Sequence, residues 1–111
     1  MDIRERQVAG VTIIELTGRL TVTDPPGELK QAVADAVVRG ARHVLLDLSG
    51  VHYIDSTRLG EIIAAHISAT RQGGSLKLIA TPARILELLR MAGLDTVFEH
   101  YDTAEDAARS L

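Results

Sequence analysis

Residues 51–69 read VHYIDSTRLGEIIAAHISA. The stretch opens at Val51 as a mostly apolar, extended segment. It turns through Asp55, Ser56 and Thr57 and continues with helical spacing. Short polar residues at a strand-to-helix junction have two readings. One is a cap: Asp55 or Ser56 accepts hydrogen bonds from the unpaired N–H groups of the first helical turn, worth about 1 kcal/mol. The other is a hydroxyl offered at a helix N-terminus, where a phosphate would meet free backbone N–H groups and the positive end of the helix dipole. One residue can serve both purposes.

Working outward, the same strand–turn–helix alternation covers the chain. Ile3 to Val8 and the β-branched run Val11 to Leu16 flank Ala9-Gly10, which predicts a hairpin. TDPPG (residues 23–27) is a breaker cluster, with Asp24 as the expected cap and Pro25 in the first turn of a helix reaching about Arg39. Leu29, Ala32, Val33, Ala36 and Val37 form its apolar stripe, and Gly40 is its stop. HVLLDL (43–48) is near-continuously apolar, as in a strand buried on both faces. A second helix is predicted from Thr57 to about Gln72, burying Leu59, Ile62, Ile63 and Ile67 and ending at Gly73-Gly74. LKLIA (76–80) is a further strand. Thr81-Pro82 reads as a cap plus first-turn proline, opening a helix that buries Ile85, Leu88, Leu89 and Ala92 and stops at Gly93. Thr96 to Tyr101 reads as a short strand. TAED (103–106) reads as a capping box relaxed to Asp, opening a last helix with Ala107, Ala108 and Leu111. Helices alternating with strands predict a mostly parallel sheet carrying an antiparallel N-terminal edge. At 111 residues one domain spanning 1–111 is expected, with a core that needs no metal or disulfide.

Composition narrows the function. The chain has no cysteine, which excludes disulfides, thiolate metal sites and cysteine nucleophiles and fits a reducing, cytoplasmic setting. The charged N-terminus shows no secretory leader, and no apolar run is long enough for a bilayer. A net charge of −3 and only 3% aromatic residues argue against direct nucleic-acid binding. GGSLK (73–77) lacks the GxxxxGK(S/T) spacing of a phosphate loop. His43, His52, His66 and His100 show no metal-ligand spacing. His52, Asp55 and Ser56 lie too close in sequence for a triad, and Ser56 has no GxSxG elbow. No enzyme activity and no cofactor are expected.

LLDLSGVHYIDSTRLG (45–60) and GGSLKLIATPARILELLRMAGLDTVFEHYDTAEDAA (73–108), together with the early ELTGRL (15–20), resemble the STAS-domain anti-sigma factor antagonists over nearly the whole chain. The resemblance implies a mixed four- to five-stranded sheet, an N-terminal antiparallel hairpin, and about four helices packed mainly on one face. It also implies a binding switch. Unphosphorylated members bind an anti-sigma factor that is itself a Ser/Thr kinase and so free a sigma factor. The kinase phosphorylates the residue after the motif Asp, and a serine phosphatase reverses it. That residue is Ser56, with Thr57 a less favoured acceptor. The implied partner surface is Thr21, Asp24, Asp55, Ser56, Thr57, Arg58, Leu59 and Gly60. The alternative within the family is a scaffold or sensor in a transport or stress-signalling assembly, without reversible phosphorylation.

Two positions depart from the family pattern. Arg58 stands where D-S-S/T-G-L-G has its first Gly, and Thr21 stands where an Asp often follows the second strand. Both fall on the surface that members use for their kinase. The expectation for Arg58 is a guanidinium turned back over the helix terminus, pairing with Asp55 or with a phosphate on Ser56 and tuning partner choice.

Overall fold

The computed structural model describes residues 1–21 and 27–111. β1 (Asp2–Val8) and β2 (Val11–Leu20) form an antiparallel hairpin, followed by α1 (Glu28–Val38), β3 (His43–Ile54), α2 (Ser56–Arg71), β4 (Ser75–Ile79), α3 (Ala83–Met91), β5 (His100–Tyr101) and α4 (Ala104–Arg109). The hairpin turns at Ala9 and Gly10, both with positive φ, as a two-residue turn requires. The five strands lie side by side in chain order, and every pairing after the hairpin is parallel.

The central strand explains the layering. Val44 through Leu48 are all buried, so both faces of β3 need cover. On one face Ile14, Leu16, Val44, Leu46, Leu76 and Leu78 pack against Leu29 and Val33 of α1, Ile62 and Ala65 of α2, and Ile85 and Leu89 of α3. On the other, Ile13, Leu45 and Ile79 are covered by Ala104 and Ala107 of α4. The helices thus pack mainly on one face, with the short α4 alone opposite. Asp47, the one polar residue in the buried run, faces the Arg6 guanidinium at 3.5 Å and accepts the Ser49 N–H at 2.9 Å.

Several expectations need correction. The Asp24 cap and the Pro25 turn lie outside the described residues. The described α1 starts at Glu28, with Gly27 at its N-cap in a left-handed conformation and no side-chain cap. α2 is rotated relative to the predicted stripe. Its buried row is Arg58, Ile62, Ala65 and Ala69, while Leu59 and Ile63 are half-buried and Ile67 is 44% exposed. Small residues on that row let the helix approach closely, and the large aliphatics flank it. On α3 only Ile85 and Leu89 are buried; Leu88 and Ala92 are exposed. Pro82 takes the N-cap place there, and the Thr81 hydroxyl does not cap. The strand expected over Thr96–Tyr101 shrinks to His100–Tyr101. Turn bonds from Leu94 N–H to Leu89 O and from Val97 N–H to Leu94 O instead deliver Phe98 into the main core, edge-on to His66. The Thr103 cap is made, accepting the Asp106 N–H at 3.1 Å.

Gly74 and Gly60 make a paired test of this packing. A Cβ at Gly74 would run into the Arg42 carbonyl oxygen, which is backbone and cannot yield cheaply, whereas one at Gly60 on α2 meets open space. Gly74→Ala is expected to lower stability by about 1–3 kcal/mol. Gly60→Ala should raise it by about 0.5–1 kcal/mol through the lost flexibility of the unfolded chain. Urea midpoints of the two variants check both signs.

Candidate functional site

The site is built where β3 ends and α2 begins. The Asp55 N–H donates to the Leu20 carbonyl at 3.0 Å, so the ends of β2 and β3 are tied together at the junction. Asp55 has extended backbone, and its Oδ1 accepts the Arg58 N–H at 2.9 Å. Its carbonyl receives the Leu59 N–H at 3.0 Å, the first helical bond. Asp55 is therefore the cap. Of the two candidates for that role, Ser56 falls at the first helical position instead, with its side chain exposed. Thr57 and Gly60 are also exposed, and Leu59 is half-buried against the main core.

Arg58 reverses the sequence expectation. Its side chain is 2% exposed and runs beneath the helix terminus rather than over it. Nε donates to the Thr21 carbonyl at 2.8 Å, and Nη1 pairs with Oε1 of Glu61. The other Glu61 oxygen accepts the Lys30 N–H at 2.9 Å, in the first turn of α1. The reason is positional. Arg58, Ile62, Ala65 and Ala69 are spaced i, i+4, i+7, i+11, so Arg58 occupies the first place in the buried row. A guanidinium there is tolerable only with its donors satisfied. Glu61 was not among the residues singled out by sequence; its i+3 spacing from Arg58 was the available signal.

The structure thus brings Thr21, Asp55, Ser56, Thr57 and Gly60 to one end of the sheet, at the carboxyl ends of β2 and β3. It takes Arg58 inward, and Asp24 lies outside the described residues. Beside this end, the Arg19 guanidinium lies 4.5 Å over the Tyr53 ring. Among the described residues no group of three or more His, Asp or Glu gathers as a metal site, and no helix is long and apolar enough to cross a membrane.

Removing each partner should cost very different amounts. Asp55→Ala loses one cap, about 1 kcal/mol. Arg58→Ala leaves Glu61 unpaired in a largely enclosed place and should cost about 3–5 kcal/mol. Equal small losses in chemical denaturation would contradict the buried placement of Arg58.

The family model described as "Mlab, STAS domain" matches residues 3–99. A TM1081 homologue of Thermotoga neapolitana is 35% identical over 69 residues, 62% of this chain and 61% of that protein, so the match spans less than two thirds of this relative. The anti-sigma F factor antagonist of Paenibacillus polymyxa is 26% identical over 113 residues, 100% of this chain and 95% of its own. The crystal structure of TM1081 from Thermotoga maritima superposes with a TM-score of 0.85 at 27% identity, over 97% of this chain and 92% of that one. With a sheet of this order, its helices on these faces and a family match over most of its length, the chain belongs to the STAS-domain family.

Proposed function

We propose that the chain is an anti-sigma factor antagonist whose association with an anti-sigma factor kinase is controlled by phosphorylation of Ser56. The observation that carries the reading is the exposed Ser56 side chain at the first position of α2, with the capping duty taken by Asp55. A hydroxyl so placed can be modified without removing a bond the fold needs. The relative from Paenibacillus polymyxa, named as an anti-sigma F factor antagonist, supports the same class.

The physics of such a switch follows from where the charge lands. A phosphate adds about −1.5 to −2 charge at neutral pH. On the isolated protein the helix terminus favours it by roughly 0.3–1 kcal/mol, while Asp55 beside it opposes by a comparable screened amount. The fold is left nearly unchanged in stability. In a partner interface lacking dedicated donors, the dianion faces a desolvation cost of several kcal/mol. A loss of about 3 kcal/mol weakens association more than a hundredfold. The unphosphorylated protein then holds the kinase in the cytoplasm, and a serine phosphatase restores that form. No catalytic turnover belongs to this chain.

Recovery of bound proteins from the native cell, followed by incubation of the recovered kinase with ATP, tests the reading. One phosphate should appear, and Ser56→Ala should abolish it. Label that persists in Ser56→Ala and vanishes in Thr57→Ala would reassign the acceptor. Recovery of transport or stress-signalling proteins, with Ser56 unmodified in all conditions, would favour a scaffold. Pure protein should show no sustained hydrolysis of nucleotides or esters; turnover abolished by a point change would overturn the non-enzymatic assignment.

A further inference from the structure

The two ends of the segment joining β2 to α1 are held by one ion pair from α2. Arg58 Nε binds the Thr21 carbonyl, where β2 has just ended, and Glu61 Oε2 binds the Lys30 N–H, where α1 begins. Gly27 at the α1 N-cap has no side chain with which to hold the Lys30 N–H, and a carboxylate from another helix accepts it. The pair lies in the first two turns of the helix that carries Ser56 at its start.

We propose that Arg58 and Glu61 couple the state of Ser56 to the start of α1, so that a phosphate on Ser56 loosens the Lys30 bond. This rests on the reading of Ser56 as the modified residue. The side chains of Arg58 and Glu61 are 2% and 9% exposed, so water and salt screen them poorly. A phosphate on Ser56 would stand outside the terminus two residues before the inward-turned Arg58, so it acts on the guanidinium through its field and not by contact. It also repels the Glu61 carboxylate. Both forces act in one direction: the carboxylate loses part of its counter-charge and gains a like-charged neighbour. Its hold on the Lys30 N–H weakens, and with it the placement of α1 relative to α2. The switch then has two arms. One is the phosphate itself, which a partner must desolvate. The other is a displaced α1 start, which reshapes the surface beside it. Arg58 and Glu61 act here as positioning residues and need not touch the partner.

The test is amide hydrogen exchange at Lys30 in the full chain, with serine or genetically encoded phosphoserine at position 56. Phosphoserine should speed exchange at Lys30 by about threefold or more while leaving the Leu86 amide in α3 unchanged, as local opening requires. Glu61→Gln keeps the shape and removes the charge, so in that variant the phosphate effect should largely disappear. A purely structural role for the pair would raise exchange in Glu61→Gln without removing the response to phosphate. Equal Lys30 rates in the two forms of the native chain would overturn the proposal. So would the same acceleration persisting in Glu61→Gln. If Glu61→Gln does not fold, Glu61→Ala, which also removes the carboxylate charge, gives the same comparison. Because the phosphoserine is encoded, the result does not depend on any kinase. Failure here leaves Ser56 as acceptor, and failure of kinase labelling leaves this coupling intact.

Discussion

Burial of the run Val44–Leu48 on both faces of the sheet sets the terms for the rest of the molecule. Each fully buried leucine contributes roughly 1.5–3 kcal/mol relative to exposure, and only if something covers it. α1, α2 and α3 cover the side carrying Val44, Leu46 and Leu48, while α4 closes the other side over Leu45. β3 is flanked by β2 and β4 as far as Asp47, and beyond that its carboxyl end is held by β2, whose pairing runs on to Leu20 and Ile54. Ile54 is still buried. The next residue, Asp55, is therefore delivered to a fixed place, and its N–H is already bound to Leu20.

That fixed exit decides what the junction can do. Asp55 caps α2 through Oδ1, and the register of the helix then puts Ser56 and Thr57 outward and Arg58 inward. Outward hydroxyls at a helix terminus sit in a mildly favourable field for anions, too weak to drive a change of fold. A modification there would act on what docks against the surface and, within the protein, only on the local hold of Arg58 and Glu61. The half-buried Leu59 belongs partly to the core, so it has less area to offer a partner than its exposed neighbours.

Much of this was legible. Gly40, Gly73-Gly74 and Gly93 mark the helix ends, the apolar run marks β3, and Asp55 and Thr103 mark two helix starts. The misreadings share a cause: hydrophobicity counts what prefers to be inside, not which row of a helix faces in. On α2 the isoleucines drew the predicted stripe one step away from the row of alanines that packs closest. In the segment before β5 a strand-like composition concealed a turn whose purpose is to seat Phe98. Arg58 was invisible to apolar periodicity because it is charged, although its spacing from Ile62, Ala65 and Ala69 places it in the row. Glu61 was missed for the same reason.

An arginine heading a core row is not explained by stability alone. A well-packed apolar pair of similar volume is often as stable as a buried ion pair, or more so. What methionine and leucine cannot do is donate to the Thr21 carbonyl and accept the Lys30 N–H. Both are backbone groups, and they flank the connection between β2 and α1. Glycine at the α1 N-cap offers no side chain to the Lys30 N–H, and Glu61 of α2 accepts it instead. The bonds from α2 come from two residues, Arg58, which stands at the family's glycine position, and Glu61, its ion-pair partner. The helix that presents Ser56 thus also holds the backbone beside it, through Arg58 on the Thr21 carbonyl and Glu61 on the Lys30 N–H.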